Sequence, residues 1–220
     1  MIPDHRTAGS IFEFKDRDIK TLSLEERVAF SKSNDFPEPG VSVLELLALN
    51  KALEASGNKP IRILETGMCF GTTTRFFLTH IAKYGGELHT VECQIRPLFK
   101  KVMEDMKLWD KIIVHNEDTR EMYWDPKLRI DFLFIDSEHA LSDALGEYMR
   151  FRHFINAEAI IGFHDSECCV GVKRAIEMIN EVDKLELVSI NDCKADAGIA
   201  FFRLIEKNRQ DNAWNTRSRK

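Results

Sequence analysis

The sequence predicts an α/β domain: a mostly parallel sheet of seven strands, with helices on both faces and an antiparallel pair at one edge. Three observations predict it. From Pro60 onward, short runs rich in β-branched and aromatic residues alternate with segments of helical period, the signature of repeated βαβ units. The runs are nearly continuous in apolar residues, as in strands covered on both faces. The last two are separated only by the polar loop Asn191 to Ala197, which is too short for a crossover and dictates antiparallel pairing.

Taken in order, residues 1–40 are mixed and end in Phe36-Pro37-Glu38-Pro39-Gly40, where two prolines and a glycine deny a regular element. Val41 to Ala55 carries Val43, Leu46, Leu47 and Leu53 at helical spacing, and Ser56-Gly57-Asn58-Lys59-Pro60 closes that helix. Strands follow at Ile61–Glu65, Glu87–Glu92, Lys111–His115, Asp131–Asp136 and Glu158–Phe163. The helices between them fall at Thr72–Tyr84, Arg96–Trp109, a short one near Thr119–Tyr123, Leu141–Phe154 and Val172–Val182. Leu185–Ile190 and Gly198–Leu204 form the antiparallel pair. After Ile205 almost no apolar residue remains except Trp214, so residues 206–220 read as a mobile polar tail.

Composition narrows the partners. Lys and Arg number 31 against 36 Asp and Glu, a net charge of −5, and 44% of the chain is hydrophobic, as in one globular domain. That acidity argues against a protein that follows a phosphate backbone. No Asn/Asp-Pro-Pro-Tyr/Phe or Pro-Cys motif of nucleic-acid base methylation is present, so a nucleic-acid substrate is not expected. The cysteines (Cys69, Cys93, Cys168, Cys169 and Cys193) include no C-x-x-C pair, which disfavours a zinc ribbon or redox dithiol. The vicinal Cys168-Cys169 reads as packing. The N-terminus lacks a signal-peptide core and no window holds eighteen apolar residues, so the expected compartment is the cytoplasm and no membrane is expected.

The chemistry sits at strand ends. The first strand closes in Glu65-Thr66-Gly67-Met68-Cys69-Phe70-Gly71 just before a helix beginning Thr72-Thr73-Thr74. Glycines at such a turn let backbone approach a ligand. Gly-Lys-Ser/Thr is absent, which excludes a P-loop, and Cys69 replaces the middle glycine of a dinucleotide site. Glu92 ends the second strand about 20 residues beyond Gly71, where an acid can accept both ribose hydroxyls. Asp118, after the third strand, suits either acceptance from an adenine amino group or the N-cap of the next helix.

On these residues the chain resembles class I S-adenosylmethionine (SAM)-dependent methyltransferases. Glu65–Gly71 resembles the first motif, Glu92 the ribose-binding acid, Asp118 the adenine-side acid and Asp131–Asp136 the fourth-strand motif, over about residues 60 to 204. The final antiparallel pair also resembles that family's sheet edge. The resemblance implies a Rossmann-like three-layer sandwich and a SAM site formed by Glu65, Gly67, Gly71, Thr72, Glu92, Asp118 and Asp136.

Phe134-Ile135-Asp136-Ser137-Glu138-His139 and Ile161-Gly162-Phe163-His164-Asp165-Ser166 are similar to small-molecule O-methyltransferases of the catechol and macrocin types, and to cephalosporin-hydroxylase-like relatives. That similarity implies a divalent metal, magnesium or manganese, held by Asp136, His164 and Asp165. His164 stands where the relatives usually place an oxygen donor; imidazole suits manganese, iron or zinc better than magnesium, so the departure either changes the metal or means that none binds. His139 lies where the catechol-type relatives place a catalytic lysine, and an imidazole there could take a proton from a substrate hydroxyl, with Asp136 beside it.

The resulting expectation is an O-methyltransferase acting on a small molecule, with residues 1–59 as a helical, substrate-side preface, residues 60–205 as the SAM-binding domain, and a homodimer as a candidate assembly. A metal-dependent enzyme of another reaction type and a non-catalytic SAM- or nucleotide-binding protein are the competing readings. Arg75, Arg150, Arg152 and His153 suit either an anionic substrate or solvent. Phe12, Phe14, Phe30 and Phe36 suit either a substrate cover or packing of the preface.

Overall fold

Short polar caps start the N-terminal helices. In the computed structural model, which describes residues 9–36, 40–191 and 196–207, α1 (Leu24–Ser31) and α2 (Val43–Ala55) each begin at a capping box. Ser23 pairs reciprocally with Glu26, and Ser42 with Glu45. Each box satisfies two amide groups that a helix start leaves without partners. Two 3-10 turns, Ile11–Phe14 and Ile19–Thr21, precede them.

The strands are β1 (Ile61–Thr66), β2 (Gly86–Val91), β3 (Ile113–His115), β4 (Ile130–Ile135), β5 (Ile155–His164), β6 (Lys184–Asn191) and β7 (Ile199–Glu206). They lie in the order β3-β2-β1-β4-β5-β7-β6. The first five are parallel; β7 runs antiparallel to both β5 and β6. The order reverses at β1, so β1 and β4 diverge into a crevice at their carboxyl ends, the switch point where ligands bind in open α/β sheets.

Alternate residues of each buried strand enter opposite cores. Ile61, Ile63, Phe132, Phe134, Ile160 and Phe201 pack under α1, α2, α3 (Thr72–Tyr84) and α4 (Pro97–Asp105). Leu64, Leu133, Ile135, Ile161 and Phe163 pack under α5 (Leu141–Phe151) and α6 (Val170–Val182). This is a three-layer sandwich with an antiparallel edge. No helix among the described residues is long and apolar enough to cross a membrane.

Several local expectations are corrected. No helix forms at Thr119–Tyr123: the carbonyl of Asp118 accepts the amides of Glu121 and Met122, and a single turn results. Its apolar residues serve as anchors instead, with Met122 and Trp124 buried against the second core. The α4 helix stops at Asp105 because Lys107 turns into the left-handed region at φ 57°. The preface aromatics divide: Phe14, Phe30 and Phe36 are buried, Phe14 packs edge-on to Phe30 at 5.6 Å, and Phe12 is exposed. Trp214, Cys193 and most of the expected tail lie outside the described residues.

Candidate active site

The Gly67–Gly71 turn is clasped by Glu92. One carboxylate oxygen, Oε2, accepts from the amides of Met68 at 3.2 Å and Cys69 at 2.9 Å, while Oε1 accepts from the amide of Gln94 at 2.9 Å. Glu92 thus joins the carboxyl ends of β1 and β2. Two glycines are obligatory in this turn. A Cβ on Gly67 (φ 80°) would lie 2.1 Å from the Asp136 carbonyl oxygen, and one on Gly71 (φ 69°) would lie 2.2 Å from the Phe99 ring. Above the turn opens a cleft of about 530 Å³ lined by Gly67, Glu92, Asp118, Asp136, Glu147 and Arg150 among others.

The structure separates the expected cofactor residues into two groups. Gly67, Glu92, Asp118 and Asp136 line the cleft; Glu65, Gly71 and Thr72 do not. Glu65 lies beneath, fully buried, where it accepts from the hydroxyls of Thr73 at 2.5 Å and Thr74 at 2.6 Å. Burial raises its carboxyl to about 7 against those two hydrogen bonds. Its place is to tie the end of β1 to the first turn of α3. Asp118 meets Arg120 in a two-pronged pair, 2.9 Å to Nε and 2.6 Å to Nη2, which holds its carboxyl near 2.

The arginines also divide. Arg75 is buried completely: it donates to the carbonyl oxygens of Phe70, at 2.7 Å, and Ser31, and its guanidinium lies 4.2 Å from the Phe36 ring centre. Arg152 is buried against Asp183. Arg150 alone of the four residues weighed for an anionic substrate borders the cleft, and its donors are engaged by the carbonyls of Arg120 and Met122.

A second cluster sits where β4 and β5 end. His139 Nε2 is 2.7 Å from Asp165 Oδ2, and ligand-capable atoms of Asp136, His139 and Asp165 lie within 4.8 Å of one another. His164 contacts the same two carboxylates. Its Nδ1 lies 3.0 Å from Asp136 Oδ1 and 3.1 Å from Asp165 Oδ2, while its Nε2 faces Glu45 Oε1 at 3.6 Å. Burial opposes charging of His164, but Asp136, Asp165 and Glu45 together hold its affinity for a proton far above the usual histidine range. Asp165 adopts φ 56°, a left-handed conformation strained for this residue.

The donor set fits a divalent cation. Three carboxylates (Glu45, Asp136 and Asp165) face a single imidazolium, an excess of negative charge in a poorly solvated place. Two oxygens and one nitrogen suit manganese, iron or zinc better than magnesium. Of these residues Glu45 was not expected: it meets the site directly at His164 and also accepts from the amide of Gly198 at 2.8 Å, both contacts between segments far apart in the chain. Glu147 was likewise not expected; it is buried and accepts from Thr66 at 2.7 Å and Ser137 at 2.6 Å.

Comparison with known proteins agrees with this fold. A family model described as a methyltransferase domain matches residues 64–166. No curated protein matches the chain. Among solved structures, an O-methyltransferase from Bacillus cereus in complex with SAH is similar at 16% identity and a TM-score of 0.58, over 82% of this chain and 90% of that one. A SAM-dependent O-methyltransferase from Thermotoga maritima gives 13% and 0.59, over 84% and 72%. Fibrillarin from Methanococcus jannaschii, a pre-rRNA processing protein, gives 16% and 0.55, over 77% of each. At such identities the likeness is one of fold. By its sheet, its central family match and its neighbours, the chain resembles the class I SAM-dependent methyltransferases, with O-methyltransferases among the structures most like it.

Proposed function

We propose that this protein transfers the methyl group of SAM to a hydroxyl of a small molecule. The observation that carries the reading is the Glu92 clasp on the Gly67–Gly71 turn, at the mouth of a cleft lined also by Asp136, which lies within 4.8 Å of the His139–Asp165 pair. Glu92 accepts three amides, two on Oε2 and one on Oε1, which leaves one acceptor site on Oε1 for a ribose hydroxyl. Asp118 and its Arg120 partner offer both acceptor and donor groups to a base edge. Methyl transfer itself is a matter of holding donor and acceptor in line at near-attack distance.

His139 supplies the acid–base chemistry. Its Nε2 lies within hydrogen-bond reach of Asp165, which orients the ring toward one tautomer and stabilises the imidazolium formed when it takes the acceptor's proton. Asp136, His139 and Asp165 would also be the residues that hold magnesium or manganese, and a bound cation would favour the alkoxide of the acceptor. His139 serves as base in one arrangement and as ligand in the other. Residues 1–59 are proposed as the acceptor-side cap, a reading supported by Glu45 and Ser42 at the start of α2, which reach Gly198 and Asp196.

Incubation of the protein with methyl-labelled SAM and panels of small hydroxyl compounds and of RNA tests the reading. Label should pass to a hydroxyl compound and not to RNA. Transfer to RNA alone, or none to any acceptor, would reject it. Chelation that abolishes transfer assigns His139 to the cation; transfer that survives chelation but not His139→Ala assigns it the base role. A metal-dependent reaction of another type, which the Asp136–His139–Asp165 cluster also suits, would appear as turnover without SAM.

A further inference from the structure

A second pocket, of about 180 Å³, lies at the opposite end of α3 from the cofactor turn, between α1, α2 and the last turn of α3. Arg27, His80, Lys83, Asn50 and Asn58 line it, with one carboxylate, Glu54, on an exposed position. Arg27 donates from Nε to Thr79 Oγ1 at 2.7 Å and from Nη1 to Asn50 Oδ1 at 2.8 Å, and its guanidinium covers the Phe76 ring at 4.4 Å. These are neutral partners. Among the described residues no carboxylate comes within ion-pair distance of it; the one that favours its charge, Glu54, acts at longer range, bridged by Asn50, whose Nδ2 donates to Glu54 Oε1 at 2.8 Å, while burial disfavours that charge. A largely buried cation with no contacting counter-charge is costly to a folded protein.

Two sealed polar atoms belong to this same wall. Arg27 Nη2 and His80 Nε2 are shut off from bulk water and have no hydrogen-bond partner, and the His80 side chain is 2% exposed. Burial and the neighbouring Arg27 and Lys83 keep the His80 ring neutral, with its proton affinity pushed down to about 4, so it can donate from one nitrogen without adding a charge. Tyr84 packs 4.8 Å from His80, and Lys83 Nζ lies 5.1 Å from the Tyr84 ring centre, on the outer side of the pocket. Neither cofactor nor acceptor chemistry uses any of these residues.

We propose that this pocket binds a phosphate group, with Arg27 as its fixed cation, His80 as a neutral donor and Lys83 as the mobile outer cation. The phosphate supplies a counter-charge in direct contact, where Glu54 acts on Arg27 only at longer range through Asn50, and acceptors for the two unpartnered atoms. Asn58 suits the polar remainder of a small phosphate ester, which the volume admits beside the phosphate itself.

Titration calorimetry at low ionic strength with inorganic phosphate, glycerol phosphate and acetate tests this. Phosphate-bearing ligands should bind one per chain and acetate should not. Arg27→Gln should weaken binding about tenfold or more, the size of a lost charge-assisted hydrogen bond. Lys83→Glu, on an exposed residue, tests the site without touching the core and should also weaken it severalfold. Tighter binding of glycerol phosphate than of inorganic phosphate assigns the pocket to an ester; the reverse assigns it to the free ion. No binding by the wild type, equal binding of acetate, or undiminished binding in both variants would overturn the proposal, whatever the outcome of the methyl-transfer assay.

Discussion

Arg75 Nη1 donates to the carbonyl oxygen of Phe70 at 2.7 Å, which places a fully buried guanidinium on α3 directly behind the cofactor turn. The same side chain also holds Ser31 and covers Phe36. It therefore ties the preface to the turn that Glu92 clasps from the other side. Arg75→Leu should cost about 2–4 kcal/mol in urea unfolding, since two buried carbonyls lose their partner, and should weaken binding of S-adenosylhomocysteine as the turn loosens. Arg75→Lys, which keeps one donor and the charge, should fall between. Equal stability of Arg75→Leu and wild type would show that the link carries no weight.

Glu65 gives stability a pH dependence with a defined sign. Its carboxyl titrates near 7 when folded and near 4.5 otherwise. Below 4.5 both states are protonated and nothing is lost. Between 4.5 and 7 the unfolded chain gives up its proton first, so stability falls as pH rises, to a full penalty of about 3 kcal/mol above 7. Glu65→Gln should escape that slope. Denaturation at pH 4.5 and pH 8 should show the variant gaining on the wild type at the higher pH; a difference independent of pH contradicts the assignment.

Gly71→Ala should destabilise by about 1–3 kcal/mol, from the left-handed backbone and from overlap with Phe99. The two causes separate in a double-mutant cycle. With Phe99→Leu in the background, the steric part should shrink and the backbone part persist. An unchanged cost in that background would assign the whole effect to backbone conformation.

Much of the sheet was legible because each parallel strand must be apolar on both faces. Ile61-Arg62-Ile63-Leu64 and Phe132-Leu133-Phe134-Ile135 feed two cores at once, and no helical period produces such runs. The Thr119–Tyr123 segment forms a turn because Met122, with Trp124 just beyond it, anchors the chain in the second core, and five residues hold too little periodicity to tell a helix from a turn. Spacing put Glu92 at the end of β2, where the structure has it holding the Gly67–Gly71 turn. Spacing carries no sign that Glu65 lies beneath that turn, accepting from the hydroxyls of Thr73 and Thr74 in the first turn of α3. Glu45, Arg75 and His164 owe their surroundings to contacts between distant segments, and local pattern carries no trace of those.

Glu92 carries the assignment of this cleft to SAM most directly. Titration calorimetry of S-adenosylhomocysteine should show one site per chain in the wild type. Glu92→Ala, which removes the proposed ribose acceptor and the clasp on Met68 and Cys69 together, should weaken it at least about tenfold, with circular dichroism confirming a folded chain. Absence of binding by the wild type, or undiminished binding by Glu92→Ala, would contradict the assignment of this cleft to SAM.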